Sequence, residues 1–152
     1  MWANDHATVD SVIAALYEST RHTREHPQDW ERFRSLFVAG AALVQAASIG
    51  SYEYSLDSYI QEALYFRNED PSEEWYETEV ARETHQLDDV AHVFSVYVFG
   101  PYPGRPRARR YTNSFHLVKT DEYEQRGTSF HHGRRWRITS WHWTAELPHA
   151  PD

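Results

Sequence analysis

The sequence predicts an α+β domain in which helices come first and a meander of antiparallel strands follows. Two observations support this order. Apolar residues recur at helical spacing in the first part of the chain, and from Trp75 onward β-branched and aromatic residues dominate. The 152 residues contain no repeat, low-complexity tract or interdomain linker. We therefore expect a single domain over residues 1–152, with a core from about residue 8 to about residue 146.

The first helix is predicted from Thr8 to about His26, where Pro27 marks a boundary. Apolar residues at helical spacing form its inner face: Val9, Val12, Ile13, Leu16 and Tyr17. Asp29 is a suitable cap for a second helix, which Gly40 would end. The inner stripe of this second helix consists of Trp30, Phe33 and Phe37.

After a short strand through 42–44, Ser55 is a suitable cap for a third helix that closes at 68–71. One face of that helix carries Leu56, Tyr59, Ile60, Ala63 and Leu64. The remaining chain alternates between strand-forming runs and turn-forming residues. This alternation predicts four strands, at about 75–86, 90–100, 108–120 and 134–146.

Composition narrows the possible functions. The formal net charge of −8 argues against nucleic acid as a partner, since phosphate neutralisation needs a basic face. No cysteine is present, which excludes disulfides and a thiol nucleophile, and no apolar run approaches the roughly 18 residues of a membrane span. We expect a cytoplasmic protein, since the N-terminal residues lack the basic and apolar regions of a signal peptide. We also expect no metal site, because the adjacent His131 and His132 lie in a polar loop. Six Trp and ten Tyr fit a pocket for a hydrophobic small molecule.

Four segments of the chain resemble the SnoaL-like, ketosteroid isomerase-like branch of the nuclear transport factor two superfamily. They are WYETEVAR at 75–82, AHVFSVY at 91–97, RYTNSFHL at 110–117 and RWRI at 135–138. The resemblance implies a cone-shaped, barrel-like roll, with three N-terminal helices packed on a strongly curved, mostly antiparallel sheet. It also implies a homodimer and chemistry that needs no cofactor.

Within this resemblance, the tyrosine of ketosteroid isomerase falls on Tyr17, whereas its base falls near Gln45 and its second acid near Ser114 or His116. Neither of the last two places holds a carboxylate, so the isomerase mechanism is not matched. Two classes remain open. The first is a cofactor-independent acid/base enzyme, namely an isomerase, dehydratase or cyclase of a hydrophobic cyclic substrate. The second is a non-catalytic ligand-binding or dimerisation module.

The enzyme hypothesis depends on His116 as general acid/base and on Tyr17 as the hydrogen-bond donor to a developing oxyanion. Structural alternatives are a hydrogen-bonded core histidine at His116 and a salt bridge between Glu79 and Arg82 at the sheet rim. Matching the last strand to the family turns Trp141 and Trp143 inward and His142 outward. The expected ligand-binding residues are Trp141, Trp143, Tyr97, Ser114, His92, Glu79, Phe33 and Phe37. The convex sheet face with His142 and Arg137 is the expected dimer surface.

Overall fold

The computed structural model describes residues 2, 4–23, 25–47, 50–69, 76–100, 110–121 and 134–144. The described residues form three helices and six strands, which confirms the α+β class. The helices are α1 (Val9–Thr20), α2 (Trp30–Ser35) and α3 (Leu56–Glu69). The strands are β1 (Phe37–Ala47), β2 (Gly50–Tyr54), β3 (Tyr76–Leu87), β4 (Val90–Gly100), β5 (Arg110–Thr120) and β6 (Arg135–Thr144).

All six strands belong to one unclosed sheet with the order β2-β1-β6-β5-β4-β3. Every neighbouring pair is antiparallel except β1 and β6, which run parallel in the middle of the sheet. We call the side covered by the helices the inner face. It holds the core, because Leu43, Val93 and Phe115 from three different strands are all completely buried there.

Side-chain caps begin the helices where the sequence predicts them. Thr8 and Ser11 form a reciprocal capping box at α1, Asp29 accepts from the Arg32 amide at α2, and Ser55 accepts from the Ser58 amide at α3. The first helix ends at Thr20, earlier than predicted. The hydroxyls of Ser19 and Thr20 bond back to the Leu16 carbonyl, and such side-chain bonds compete with helix propagation.

The prediction for the second helix was wrong at its C-terminal end. Leu36 ends α2, and Phe37 begins β1 by pairing with Ile138 of β6. Pairing with the sheet therefore overrides the helical spacing of Phe37, although its side chain is buried as expected. Gly40 lies inside β1, where the register against β6 shifts and the glycine adopts a φ of 77°.

We expect Gly40→Ala to lower the free energy of unfolding by about 1–2 kcal/mol, since an L-residue pays that much for a left-handed conformation. Crowding is not the cause, because a Cβ atom at Gly40 would meet nothing within 4 Å. Urea unfolding measures the change. The matched control is Ala39→Ser, an exposed neighbour that should change stability by less than about 0.5 kcal/mol. Equal stability of Gly40→Ala and the wild type would contradict the strained bulge.

Candidate functional site

The space between the helices and the inner face is filled by aromatic rings. We call this set the aromatic cluster, and its members are Trp30, Phe33, Phe37, Tyr54, Tyr59, Phe115, Trp141 and Trp143. Phe33 stands at its centre, with ring centroids 4.9 Å from Phe37, 5.5 Å from Tyr59 and 6.3 Å from Trp141. Phe33 and Phe115 are fully buried. The space between the helices and the sheet is therefore occupied by side chains that pack in stacked, tilted and edge-on pairs.

A line of hydrogen bonds crosses the inner face behind this cluster. We call it the hydrogen-bond chain; it consists of Trp141, Asn113, Tyr17, Ser95, Glu79 and Arg82. The Trp141 indole donates to Asn113 Oδ1 at 3.0 Å, and the Asn113 amide donates to the Tyr17 hydroxyl at 3.0 Å. The Tyr17 and Ser95 hydroxyl oxygens are 2.7 Å apart. Ser95 also bonds to the Glu79 carboxylate, which Arg82 contacts in turn.

Each bond in this chain has a defined direction. The Ser95 hydroxyl has one proton, and the Glu79 carboxylate accepts it. Ser95 must therefore accept the proton of Tyr17, whose oxygen accepts in turn from Asn113. Burial raises the pKa of Tyr17 well above its usual range, and the hydrogen bond that Asn113 donates to its oxygen only partly opposes this effect. Tyr17 is thus a neutral phenol at neutral pH, and its hydroxyl donates its proton in a hydrogen bond to Ser95.

The charged end of the hydrogen-bond chain, formed by Glu79 and Arg82, lies nearest the solvent. Arg82 binds both oxygens of Glu79 through its Nε and Nη2 atoms, and its Nη1 atom donates to Asp10 at 2.7 Å. These are the residues for which the sequence left open a pocket carboxylate or a rim salt bridge; the structure shows the salt bridge. Because Arg82 joins β3 to α1 in this way, the ion pair fixes Glu79 as the terminal acceptor of the chain.

The aromatic cluster has a half-buried edge, which we call the aromatic rim: Tyr54, Tyr59 and Trp143. Tyr54 stacks on Trp143 with ring centroids 6.0 Å apart, and Tyr59 meets Trp143 edge-on at 5.6 Å. Polar atoms stand beside these rings. The Tyr54 hydroxyl is 3.5 Å from Gln45 Oε1, and burial, followed by the hydrogen bond to Glu62, raises the pKa of Tyr54. The aromatic rim therefore combines half-buried ring surface with an amide, a phenol and the carboxylate of Glu62.

The opposite side of the sheet, the outer face, carries a second group of polar side chains. His85, His92 and His116 are direct register partners across β3, β4 and β5, and we call them the histidine row. The rings of His92 and His116 are 4.5 Å apart. His92 hydrogen-bonds Ser114 at 3.0 Å. An open groove of about 490 Å³ lies here, lined by Thr84, His85, Gln86, Leu87, Val90, Ala91, His92 and His116.

The predicted site residues divide between the two faces. Phe33, Phe37, Trp141 and Trp143 belong to the aromatic cluster, Tyr17 and Glu79 to the hydrogen-bond chain, and Tyr97 packs beside Tyr17 with ring centroids 6.1 Å apart. His92, Ser114 and His116 lie on the outer face, where His116 is exposed. The structure therefore does not bring His116 and Tyr17 together, although both were predicted as catalytic partners.

Sequence reasoning missed Ser95, Asn113 and Tyr54 as site residues. A signal for two of them exists. Ser95 falls in phase with Val93 and Tyr97, and Asn113 falls in phase with Phe115, so both are polar residues on an otherwise apolar strand face. Both are buried, at 0% and 1% exposure, and hydrogen-bonded. Buried polar groups of this kind mark positions where a specific partner is required.

The expected dimer surface needs one correction. His142 is exposed on the outer face opposite Ser114, as predicted. Arg137 is only 4% exposed, and its Nη1 atom donates to the Ser35 carbonyl at the end of α2. Arg137 therefore ties β6 to α2 instead of presenting a charge at a surface.

The described part of the chain brings together no group of three or more acidic or histidine side chains able to hold a metal ion. His131 and His132, which the sequence assigned to a solvated loop, lie outside the described residues. No helix among the described segments is long and apolar enough to cross a membrane.

Comparison with known proteins identifies the fold. No protein-family model and no curated protein matches the sequence. Solved structures do match along nearly the whole chain. An NTF2-like protein of unknown function from Pseudomonas putida KT2440 has a TM-score of 0.63 at 11% identity, covering 97% of this chain and 91% of that one. The chain has the NTF2-like fold.

Two further structures with this fold have different descriptions. A protein of unknown function with a cystatin-like fold from Nostoc punctiforme PCC 73102 has a TM-score of 0.62 at 13% identity, with 92% of this chain and 91% of that chain covered. A candidate dehydratase of the NTF2-like family from Streptomyces avermitilis has a TM-score of 0.58 at 13% identity, with 97% and 100% covered. At these identities the likeness shows the NTF2-like fold alone, and activity must be argued from the site.

Proposed function

We propose that this NTF2-like chain binds a hydrophobic, ring-containing small molecule at the aromatic rim. The observation that carries the proposal is the contrast in burial within one cluster. The rings of Phe33 and Trp141 are buried, whereas those of Tyr54, Tyr59 and Trp143 keep accessible surface. Half-buried rings held in fixed orientation offer a flat apolar ligand a prepared contact, because little side-chain freedom is lost on binding.

The hydrogen-bond chain supports this role by fixing the wall behind the aromatic rim. Trp141 lies 4.5 Å from Trp143 between ring centroids, and its indole is held by Asn113. A ring anchored in this way cannot turn when a ligand approaches its neighbour. The hydrogen-bond chain therefore acts as a rigid support, and each of its donors already has a partner inside the protein.

The polar atoms at the aromatic rim indicate the ligand's chemistry. Gln45 lies at the inner face beside Trp143, its register partner, and close to the Tyr54 hydroxyl. The amide and the phenol donate and accept hydrogen bonds but do not abstract protons at neutral pH, and the Glu62 carboxylate is hydrogen-bonded to Tyr54. We therefore assign a planar or cyclic ligand with one hydroxyl or carbonyl group.

Three observations favour binding over acid/base catalysis. His116 lies on the other face of the sheet, the Tyr17 proton is committed to Ser95, and the place that resembles the isomerase base holds the amide of Gln45. The proposed protein therefore holds its ligand without converting it.

Binding of 2-naphthol, a planar aromatic alcohol, tests the proposal by calorimetry. Trp143→Leu should weaken its affinity by about tenfold or more, because loss of a ring contact at a binding centre costs more than about 1.4 kcal/mol. The control is Tyr65→Leu, which removes a 63% exposed ring from helix α3, away from the aromatic rim, and should leave affinity unchanged. If Trp143→Leu binds 2-naphthol as well as wild type, the ligand does not use the aromatic rim.

A second proposal concerns self-association, and the outer face supports it. Large apolar side chains are exposed there, with Leu87 at 75%, Val90 at 54% and Phe94 at 41%. Charged side chains of both signs accompany them, namely Glu83, Asp88, Asp89, Arg110, Lys119 and Arg134, whereas the chain as a whole carries a net −8. Two copies would therefore meet through this face with less repulsion than the overall charge implies. The same surface offers both a groove and projecting apolar side chains, which a two-fold symmetric contact needs. We propose a homodimer formed through the outer face.

A further inference from the structure

The histidine row crosses the centre of the proposed dimer surface. Three imidazoles stand side by side on adjacent strands, in register from His85 through His92 to His116. They share the groove with the exposed side chains of Leu87 and Val90. Cross-strand neighbours of like charge destabilise each other, so three protonated rings in this arrangement would repel.

Few other charged groups balance the row. Glu83 is 2.8 Å from His85 Nε2 and offsets one imidazolium. On β6, His142 lies on the same face. Among the described residues, further charged groups beside this face are Asp88, Asp89, Arg110, Lys119, Arg134 and Arg135. Asp89 and Arg134 form an ion pair with each other, so that carboxylate does not add to the balance.

We propose that protonation of the histidine row switches off self-association of this chain through the outer face. The inference rests on the homodimer proposed above. Uncharged imidazoles can be buried against a second copy at little cost. Protonation of the row gives each copy up to three positive charges in the middle of the contact, where a second copy presents the same charges. Burial of unpaired like charges then opposes association.

The environment of His92 is consistent with this mechanism. Partial burial lowers its pKa from the ordinary value of 6.5, and the neighbouring His116 and His85 lower it further. Burial in a dimer would lower the pKa of His92 again, since desolvation disfavours the charged form. Protons therefore bind more readily to the monomer than to the dimer. By linkage, the dimer is stable above the pKa of His92 in the monomer and weakens as pH falls below it.

Sedimentation velocity of the full chain at about pH 7.5 and about pH 5.5 tests the switch. The expected result is a dimer at the higher pH and a dissociation constant at least about tenfold larger at the lower pH. A variant with His85→Gln, His92→Gln and His116→Gln should remain dimeric at both pH values. His26→Gln, at an exposed histidine before α2, is the control and should dissociate like wild type. Circular dichroism establishes that each variant is folded, and His85→Gln alone, at an exposed side chain, should reduce the pH effect if the triple variant does not fold.

The outcomes distinguish failure of the proposed homodimer from failure of the proposed pH switch. A wild-type chain that is monomeric at the higher pH would overturn the dimer and the switch together. A dimer that persists unchanged at the lower pH would overturn the switch and leave the dimer in place. Dissociation of a folded triple variant at the lower pH, equal to that of wild type, would place the pH-sensitive group outside the histidine row.

Discussion

Replacing Asn113 by leucine should lower the free energy of unfolding by about 2–4 kcal/mol. The amide is 1% exposed and joins two other buried groups, accepting from the Trp141 indole and donating to the Tyr17 hydroxyl. Leucine has a similar size but offers neither bond, so the indole N–H loses its partner inside the core. An unsatisfied buried donor costs about 1–3 kcal/mol, and Tyr17 loses a bond as well. Urea denaturation measures the loss.

The matched control for this change is Thr112→Val, one residue earlier on β5. Thr112 is exposed on the outer face, so its substitution should alter stability by less than about 0.5 kcal/mol. Tyr17→Phe, which removes the hydroxyl but keeps the ring, should fall between the two. If Asn113→Leu is as stable as Thr112→Val, the hydrogen-bond chain does not contribute to the fold.

Phe33→Ala should be the most destabilising single truncation in the aromatic cluster, by about 3–5 kcal/mol. Phe33 is fully buried and its ring contacts those of Trp30, Phe37, Tyr59 and Trp141. Removal of the ring leaves a cavity that four aromatic neighbours cannot all close, because rings do not deform and their backbones belong to different elements. Thermal unfolding followed by tryptophan fluorescence measures the effect.

Tyr65→Ala provides the comparison, since it removes an aromatic ring of similar size that is 63% exposed on α3. We expect a change of less than about 0.5 kcal/mol there. Comparable losses at the two positions would mean that the aromatic cluster is not the core that supports the sheet.

The fold was largely predictable because its signals are local. Apolar residues at helical spacing and side-chain caps define the helices, and β-branched runs between turn-forming residues define β3 to β6. The segment from Phe37 to Gly40 was mispredicted because its helical spacing is overruled by pairing with β6, which lies about 100 residues away in sequence. The short strand β2 was missed although Ser51, Tyr52, Glu53 and Tyr54 alternate; it pairs with the adjacent strand β1.

The candidate site was predictable only in part, since it depends on the face of the sheet to which each side chain points. Between Ile138 and Ser140 the register of β6 against β5 shifts by one residue. The extra residue, Thr139, explains why apolar side chains appear on both phases of this strand: Ile138 and Trp141 are both buried although their spacing is odd. His116 lies beside this shift on β5, and its side could not be inferred from spacing alone.

Nuclear magnetic resonance of the folded chain during titration with 2-naphthol is the most direct test of the proposed function. The indole N–H signals of the six tryptophans and the ring signals of the histidines report on both faces of the sheet in one experiment. We expect the Trp143 signal to move in a saturable manner while those of His92 and His116 stay unchanged. Saturable shifts at His92 and His116 with none at Trp143 would place the ligand in the outer groove and contradict the proposed site.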